Sequence, residues 1–291
     1  MSTSKRLTEV FKLAEVVPFD DATKFIFFSD CHRGDNSWAD DFAHNEKLLF
    51  HALSYYYDKG FTYIEIGDGD ELWENKKFRE IRQAHSHIFW IMQKFHEEKR
   101  FYFIWGNHNM KWKNQKNVEK NLYNYYNEQE NRYDPLFDGI KVHEGLILQD
   151  THTKKRIFLF HGHQGDLFCD TLWWLGRFLV RHLWKHLQLI GVKDPTSPAK
   201  NFKKRLKVER KILEWVKSTK ETVIFGHTHR SMFPKEREPS YFNTGSCVHP
   251  RCITGIEIQK EKIALIKWSV RVKKDGALYV EREVLEEPMK L

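Results

Sequence analysis

The chain has 291 residues, of which 41% are hydrophobic and 15% aromatic, and this composition argues against intrinsic disorder. Its formal net charge of +8 favours an anionic partner such as a phosphate group, a nucleic acid or an acidic membrane surface. The four cysteines form no CxxC pair, which argues against a zinc–thiolate site and against a disulfide framework.

The sequence also predicts where the protein works. No apolar run approaches the ~18 residues that a membrane-spanning helix needs. The amino-terminal segment has no continuous apolar core of the kind found in signal peptides. Unpaired cysteines are typical of a reducing compartment. We therefore expect a cytoplasmic protein without a transmembrane segment.

Predicted strands and helices alternate through the first third of the chain. Residues 24–29, 61–66 and 100–105 are short apolar runs that predict strands, and helical spacing covers residues 41–58 and 75–98. This alternation predicts an α/β layered architecture. In such sheets ligands bind beyond the carboxyl ends of the strands.

The second half of the chain predicts a second sheet packed on the first. Residues 145–150 and 156–160 form a predicted hairpin, a strand is expected at 222–225, and residues 253–258, 262–270 and 277–284 form a predicted terminal meander. Within a single domain over residues 1–291, residues 168–220 are predicted to be a cap-like helical insertion whose second helix covers 201–218. Residues 171–220 contain thirteen Lys or Arg against three Asp or Glu, so the positive charge is concentrated there.

Five short clusters of metal-ligand residue types each follow a predicted strand. The clusters are Asp30-Cys31-His32, Gly67-Asp68, Gly106-Asn107-His108, His161-Gly162-His163 and Gly226-His227-Thr228-His229. A single cluster of this kind is common in turns. Five in series, with oxygen and imidazole donors and almost no thiols, predict a two-metal hydrolytic site.

The donor types indicate which residue would bridge the metal ions and which metals the site would bind. A carboxylate is the usual bridge between ions that lie ~3.5–4 Å apart, and Asp68 is the candidate. Imidazole donors favour Mn, Fe, Zn, Co or Ni over Ca or Mg, with Mn the first choice for assays in vitro. Coordination lowers the pKa of water to ~7, so a hydroxide between two divalent ions would attack phosphorus. His108 is the candidate proton donor to the leaving oxygen.

The ordered set D-x-H, G-D, G-N-H, H-G-H and G-H-x-H resembles the calcineurin-like metallophosphoesterase superfamily over residues 30–229. The resemblance implies an α/β (α+β) fold, a four-layer αββα sandwich of two mixed sheets flanked by helices, with a helical insertion. It implies a phosphatase-type hydrolase with His108 as the catalytic histidine. It implies one metal ion held by Asp30, His32, Asp68 and His229, and a second held by Asp68, Asn107, His161 and His227.

Two positions depart from the family pattern. Asn109 follows His108 where the family usually has an acidic residue, so another acceptor must orient His108. The fourth cluster offers two histidines; the family pattern selects His161 as the ligand, and leaves His163 as an outer contact or a substrate-binding residue.

Three sequence features bear on the class of substrate. Residues 67–73 are similar to the G-D-x-x-[DE]-x-W pattern of the branch that contains UDP-2,3-diacylglucosamine hydrolase, although that enzyme resembles G-N-R-D where this chain keeps His108. Aromatic residues in the insertion either contact a partly apolar anionic substrate or a membrane surface, or simply pack onto the core. Arg33 and Arg251 are candidate phosphate contacts, and each is equally well explained as a structural or surface arginine.

Four functions therefore stay open. The first is a dinuclear metal-dependent phosphoesterase acting on a phosphomonoester, phosphodiester or pyrophosphate bond of a phosphorylated small molecule. The second is a pyrophosphatase of the UDP-2,3-diacylglucosamine type acting on a lipid-linked nucleotide, with peripheral membrane contact through the basic insertion. The third, less favoured, is a nucleic-acid phosphodiesterase. The fourth is a non-enzymatic scaffold with a retained metal site.

Overall fold

The computed structural model describes residues 2–181 and 201–291. The helices in these ranges are α1 (Thr3–Leu13), α2 (Glu46–Asp58), α3 (Phe78–Ala84), α4 (Ser86–Glu97), α5 (Gln115–Val118), α6 (Trp173–Leu179) and α7 (Phe202–Thr219). The strands are β1 (Glu15–Phe19), β2 (Phe25–Phe28), β3 (Thr62–Ile66), β4 (Phe101–Ile104), β5 (Asn124–Asn127), β6 (Arg132–Pro135), β7 (Val142–His143), β8 (Gly145–Asp150), β9 (Arg156–Phe160), β10 (Thr222–Phe225), β11 (Tyr241–Asn243), β12 (Cys252–Gln259), β13 (Lys262–Val272), β14 (Leu278–Val284) and β15 (Met289–Lys290).

The strands form two mixed sheets and a separate hairpin. One sheet has the order β14-β13-β12-β2-β3-β4-β7, with β15 paired to β13; its strands β2, β3, β4 and β7 are parallel, and β12 to β14 are antiparallel. The other sheet has the order β1-β8-β9-β10-β11, in which only the β8–β9 pair is antiparallel. Strands β5 and β6 pair with each other. The two mixed sheets of the expected fold are confirmed.

Alternating side chains explain why the sheets stack face to face. In β2, Phe25 and Phe27 pack into a core that contains apolar residues of both sheets, whereas Ile26 and Phe28 pack on the opposite face against residues of α2 and α4. Successive side chains of a strand point to opposite faces, so a fully apolar strand is buried on both sides. This strand therefore lies between the second sheet and a helical layer.

The outer layer on the other side is formed by α1 and α7. In α7, Val208, Ile212 and Trp215 form an apolar stripe at helical spacing that packs with Phe158 of β9 and Val10 of α1. The layers are thus helix, sheet, sheet, helix, and the predicted αββα sandwich is confirmed. The second helix of the predicted 168–220 insertion corresponds to α7, which packs against β9 and α1 in this outer layer.

The predicted helix over residues 75–98 is divided in two. α3 ends at Ala84 and α4 begins at Ser86, with His85 between them in a non-helical conformation. The His85 ring is fully buried, with Nε2 2.8 Å from Asp40 and Nδ1 2.7 Å from Glu46. Both ring nitrogens are therefore held by distant side chains, and the backbone bends to place them there.

The predicted insertion is only partly described. Its first helix is seen as α6, and residues 182–200, which include Trp184, lie outside the described residues. Within residues 2–181 and 201–291, no helix is both long enough and apolar enough to cross a membrane.

Candidate metal centre

Three of the predicted ligands follow adjacent parallel strands of one sheet. β2, β3 and β4 end within three residues of Asp30, Asp68 and Asn107 respectively. The loops after β2 and β3 are tied to each other, because the Asp30 N–H donates to the Gly67 carbonyl at 3.1 Å and the His32 N–H donates to the Asp68 carbonyl at 2.8 Å. The first three clusters therefore meet at one edge of this sheet.

The second sheet brings the remaining ligands to the same edge. His161 follows β9, and His227 and His229 follow the parallel strand β10. The His227 N–H donates to Asp30 Oδ2 at 2.9 Å, and His161 Nε2 lies 2.9 Å from Asp68 Oδ2. The seven predicted ligands thus converge where the two sheets meet.

Backbone strain is concentrated at these loops. Five of the seven predicted ligands have a positive φ in the left-handed region: Asp30 (52°), His32 (48°), Asp68 (49°), His227 (67°) and His229 (52°). Each non-glycine residue in that region costs ~1–3 kcal/mol, and such residues cluster at functional sites. The surrounding fold holds the ligand loops in conformations that they would not adopt alone.

Two glycines allow the loops to approach closely. Gly67 has a φ of 74°, and a Cβ at this position would overlap the His161 ring. A Cβ at Gly106 would overlap Asp68 Oδ1 and lie 2.6 Å from the Asp68 backbone nitrogen. The glycine of the G-D cluster and that of the G-N-H cluster are therefore required by packing around Asp68 and His161.

Each central carboxylate has one oxygen fixed by the chain and one that faces imidazoles. Asp30 Oδ2 accepts from the His227 N–H and from the Ser29 hydroxyl, while Oδ1 lies 3.1 Å from His229 Nε2. Asp68 Oδ1 accepts from the His108 N–H at 2.8 Å, while Oδ2 lies 2.9 Å from the nearest imidazole nitrogen. These hydrogen bonds aim one oxygen of each carboxylate at the imidazole cluster.

The imidazoles are oriented in the same way. His161 Nδ1 donates to the Ile66 carbonyl at 3.0 Å, which leaves the lone pair of Nε2 directed at the centre. His32 Nδ1 donates to Glu71 at 2.8 Å, and His32 Nε2 lies 3.2 Å from His229 Nε2. This distance fits an N–H···N hydrogen bond between the two rings, and the same two nitrogens could instead both bind one metal ion.

Asn107 Oδ1 and His227 Nε2 are buried and make no hydrogen bond to any described part of the chain, and the close polar contacts of buried Asp30 Oδ1 and His161 Nε2 are with other predicted ligands. Such atoms are rare in folded proteins and each requires an explanation. Three sets of ligand atoms also lie within 4.8 Å of one another, the spacing needed to hold a metal ion: Asp30, His32 and His229; His32, Glu71 and His108; and Asp68, His161 and His227. The residues present therefore fit a metal centre.

The pKa values of the two central carboxylates and of His227 agree with that fit. Burial alone would raise the pKa of Asp30 and of Asp68, but the neighbouring histidines outweigh it and hold both pKa values well below the ordinary range. Burial and the proximity of His161 lower the pKa of His227 to about 3. Ionised carboxylates and neutral imidazoles are the forms that bind divalent metal ions. Burial would lower the pKa of His32 and of His161, but the neighbouring carboxylates outweigh it and raise both pKa values, so a metal ion bound there would displace protons from these rings.

Glu71 is the acceptor that sequence reasoning left unassigned. It lies 2.8 Å from Nδ1 of His108 and 2.8 Å from Nδ1 of His32, so one carboxylate fixes both rings. Burial would raise its pKa, but His108 and His32 outweigh burial and lower the pKa to about 2. Asn109, at the family's acidic position, instead accepts a hydrogen bond from the Gly106 N–H.

Trp73 completes the surroundings of His108. The two rings are stacked, with their centroids 4.4 Å apart and an interplanar angle of 20°. Trp73 is buried and His108 is about one-fifth exposed. The His108 ring is therefore held by a carboxylate at Nδ1 and by an aromatic plane on one face.

Comparisons with known proteins give structural likeness alone. No family model and no curated protein sequence matches the chain. Solved structures similar to it include a predicted phosphoesterase of Streptococcus pneumoniae TIGR4, at 12% identity over 90% of this chain and 97% of that chain with a TM-score of 0.36. They also include Vacuolar Protein Sorting 29 of Cryptosporidium parvum, at 13% identity over 92% of this chain and 100% of that chain with a TM-score of 0.39. A mutant cold-active protein tyrosine phosphatase matches at 14% identity over 94% of this chain and 84% of that chain, with a TM-score of 0.40. Likeness at this level does not transfer a function.

Arg33, one of the candidate phosphate contacts, lies away from the candidate centre. The Arg33 guanidinium is fully buried, 2.7 Å from Glu65 and 2.9 Å from Asp70. Its donors are occupied by these carboxylates inside the sheet-helix core, so it does not reach the centre. The prediction that Arg33 binds phosphate is wrong, and the structural alternative is correct.

The other two candidates stay predictions. His163 is fully buried, and neither ring nitrogen makes a hydrogen bond within the described residues. Its ring centroid lies 5.5 Å from that of His161 and 6.4 Å from that of His227, so it is adjacent to the centre. Arg251 is exposed in the turn before β12.

Proposed function

We propose that the chain is a metal-dependent phosphoesterase that holds two divalent ions and hydrolyses a phosphomonoester, phosphodiester or pyrophosphate bond. The observation that carries the proposal is that buried, oriented ligand atoms converge at the junction of the two sheets. Among the described residues these atoms have no hydrogen-bond partner outside the predicted ligand set. Such atoms are costly unless a ligand satisfies them. Carboxylate oxygens and imidazole nitrogens are donor types that bind divalent transition-metal ions.

The chain's residues divide into two overlapping sets of ligands. One ion would be held by Asp30, His32, Asp68 and His229, and the other by Asp68, Asn107, His161 and His227. The imidazole share of these sets favours Mn, Fe, Zn, Co or Ni. Two divalent ions in such a site supply Lewis-acid activation of water and of the phosphoryl oxygens.

His108 is proposed to serve the leaving group. Glu71 accepts from Nδ1, so Nε2 remains for proton donation, and the ring borders the open cavity beside the centre. A proton given from Nε2 would neutralise the leaving oxygen as the phosphorus–oxygen bond breaks. Glu71 stabilises the protonated ring and fixes its orientation, and Trp73 restricts its tilt.

Hydrolysis of an aryl phosphate in the presence of Mn tests the proposal. We expect Asp68→Ala to remove activity nearly completely, because both ligand sets contain this carboxylate. We expect His108→Ala to lower kcat by about 10²–10⁴-fold, the contribution of a general acid. A matched control is His96→Ala on α4, whose ring contacts the Asp138 carbonyl away from the centre. Unchanged activity in both test variants would exclude this function.

Metal analysis separates an enzyme from a scaffold that retains the metal site. About two equivalents of a transition metal together with turnover support the proposal. Bound metal without turnover on any phosphomonoester, phosphodiester or pyrophosphate, including UDP-linked lipids, would favour the scaffold. A nucleic-acid phosphodiesterase would instead bind its substrate with a steep dependence on salt concentration.

A further inference from the structure

A cavity of about 290 Å³ opens directly beside His108. This volume is near the lower end of the ~300–1,000 Å³ typical of small-molecule sites. Part of its lining is apolar or aromatic, contributed by Leu72, Trp73, Met110 and Trp173. His108, the proposed proton donor to the leaving group, is therefore shared by the cavity lining and the candidate centre.

The rest of the lining is strongly basic. Four cationic side chains border the cavity: Lys76, Lys111, Arg177 and Arg181. No Asp or Glu is among the described residues that line it. Glu71 is outside the lining and hydrogen-bonds two imidazoles, although its charge still acts on Arg181. The cavity thus has positive charge that its own lining does not neutralise.

Both arginines of the cavity lining are held in place by contacts with other residues of the lining. Arg181, two residues after α6, donates to the Leu72 carbonyl at 2.8 Å and to the Trp73 carbonyl at 3.0 Å, which fixes it to the wall of the cavity. The Arg177 guanidinium lies over the Trp173 ring at 4.8 Å from the centroid. Stacking on an aromatic plane leaves the guanidinium edge available for a planar or tetrahedral anion.

The cations destabilise one another. Burial and the nearby charges of Lys120 and Arg177 lower the pKa of Lys111. Burial and the charge of Arg177 lower the pKa of Arg181. An anion placed between these groups would relieve the repulsion and would form charge-assisted hydrogen bonds.

We propose that this cavity is a subsite for a second anionic group, a phosphate or phosphonate carried by the leaving-group side of the substrate. The subsite rests on the proposed function for its orientation, since His108 defines the leaving-group side. Lys111 and Arg177 contact the anion, Arg181 holds the wall in place, and Trp73 and Trp173 pack against the organic part that joins the two anions. The favoured substrates are then phosphodiesters and pyrophosphates whose leaving group is itself phosphorylated.

A matched pair of substrates tests the subsite. 4-Tolyl phosphate and 4-(phosphonomethyl)phenyl phosphate differ only by a phosphonate on the leaving group. We expect kcat/KM to be higher for the phosphonate by about tenfold or more, the value of one charge-assisted hydrogen bond. Arg177→Ala and Lys111→Ala should each reduce this selectivity ratio, and Arg177→Lys should retain part of it.

The control lies on the same segment of the chain. Lys116 is exposed at the start of α5 and is outside the cavity lining, so Lys116→Ala should leave the ratio unchanged. Circular dichroism of each variant establishes that it is folded. Equal kcat/KM for the two substrates in the wild-type protein, unaffected by Arg177→Ala, would overturn the subsite and leave the proposed function intact.

Calorimetry decides the case in which neither substrate is hydrolysed. Titration of the purified full chain with benzylphosphonate should show binding that Arg177→Ala weakens by about tenfold and Lys116→Ala does not weaken. That result without turnover would support the anion subsite and contradict the phosphoesterase proposal. Absence of binding, or binding that is the same in both variants, would overturn the subsite.

Discussion

Replacing Glu71 by Gln tests how the candidate centre is held together. Glu71 accepts hydrogen bonds from Nδ1 of His32 and of His108, both at 2.8 Å. Hydrogen bonds to charged groups contribute ~1.5–3 kcal/mol each, about twice the value of neutral ones. Oε2 of Glu71 lies 2.8 Å from His32 Nδ1 and 2.7 Å from His108 Nδ1, so a glutamine carbonyl oxygen at that position could still accept from both rings. It carries no negative charge, however, so each hydrogen bond would lose about half of its strength. The expected loss is then about 1.5–3 kcal/mol, or ~10–150-fold in rate or affinity.

Steady-state hydrolysis of an aryl phosphate with saturating Mn, combined with metal analysis, measures this loss. We expect kcat/KM to fall by about 10–100-fold, the usual effect of removing a group that orients metal ligands. Reduced metal content would indicate that His32 has lost its orientation, and lower kcat at unchanged metal content would indicate His108. Glu80→Gln, on the exposed surface of α3, is the matched control. A kcat/KM within about twofold of wild type at equal metal content would refute the role assigned to Glu71.

Three further predictions concern stability and metal binding. Arg33→Met should lower the free energy of unfolding in urea by ~3–5 kcal/mol, because Glu65 and Asp70 would be left buried without their cation; a loss below ~1 kcal/mol would contradict this. Gly106→Ala should weaken Mn binding in equilibrium dialysis, because the new methyl group displaces Asp68, and unchanged affinity would contradict the packing argument. Removing divalent ions with a chelator should lower Tm. Adding Mn at about 1,000 times its Kd should raise the free energy of unfolding by ~4 kcal/mol. A Tm that does not respond to added Mn would argue against a metal centre.

Much of the fold could be predicted because its signals are local. The hairpin strands β8 and β9 and the strand β10 were predicted with the bounds that the structure has, since short apolar runs between turn residues specify them. The predicted strands at 24–29, 61–66 and 100–105 and those of the terminal meander lie within about two residues of β2, β3, β4, β12, β13 and β14 at each end, whereas β7 and β15 of the same sheet were not predicted. By contrast, α1 and β1 were not among the predicted elements, although α1 has a serine N-cap and buries Leu7 and Val10 at helical spacing; β1 is paired with β8.

The amino-acid sequence by itself determined the residue types at the candidate centre and their order at the strand ends. Asp30, Asp68 and His161 could be named because each follows a strand, and parallel strands end at a common edge. The tertiary structure alone decided that Glu71 fixes His108, from 37 positions away, and that Arg33 pairs with Glu65 inside the core. A local pattern specifies which groups are present, whereas the partner of a buried donor or acceptor depends on the packing of distant elements.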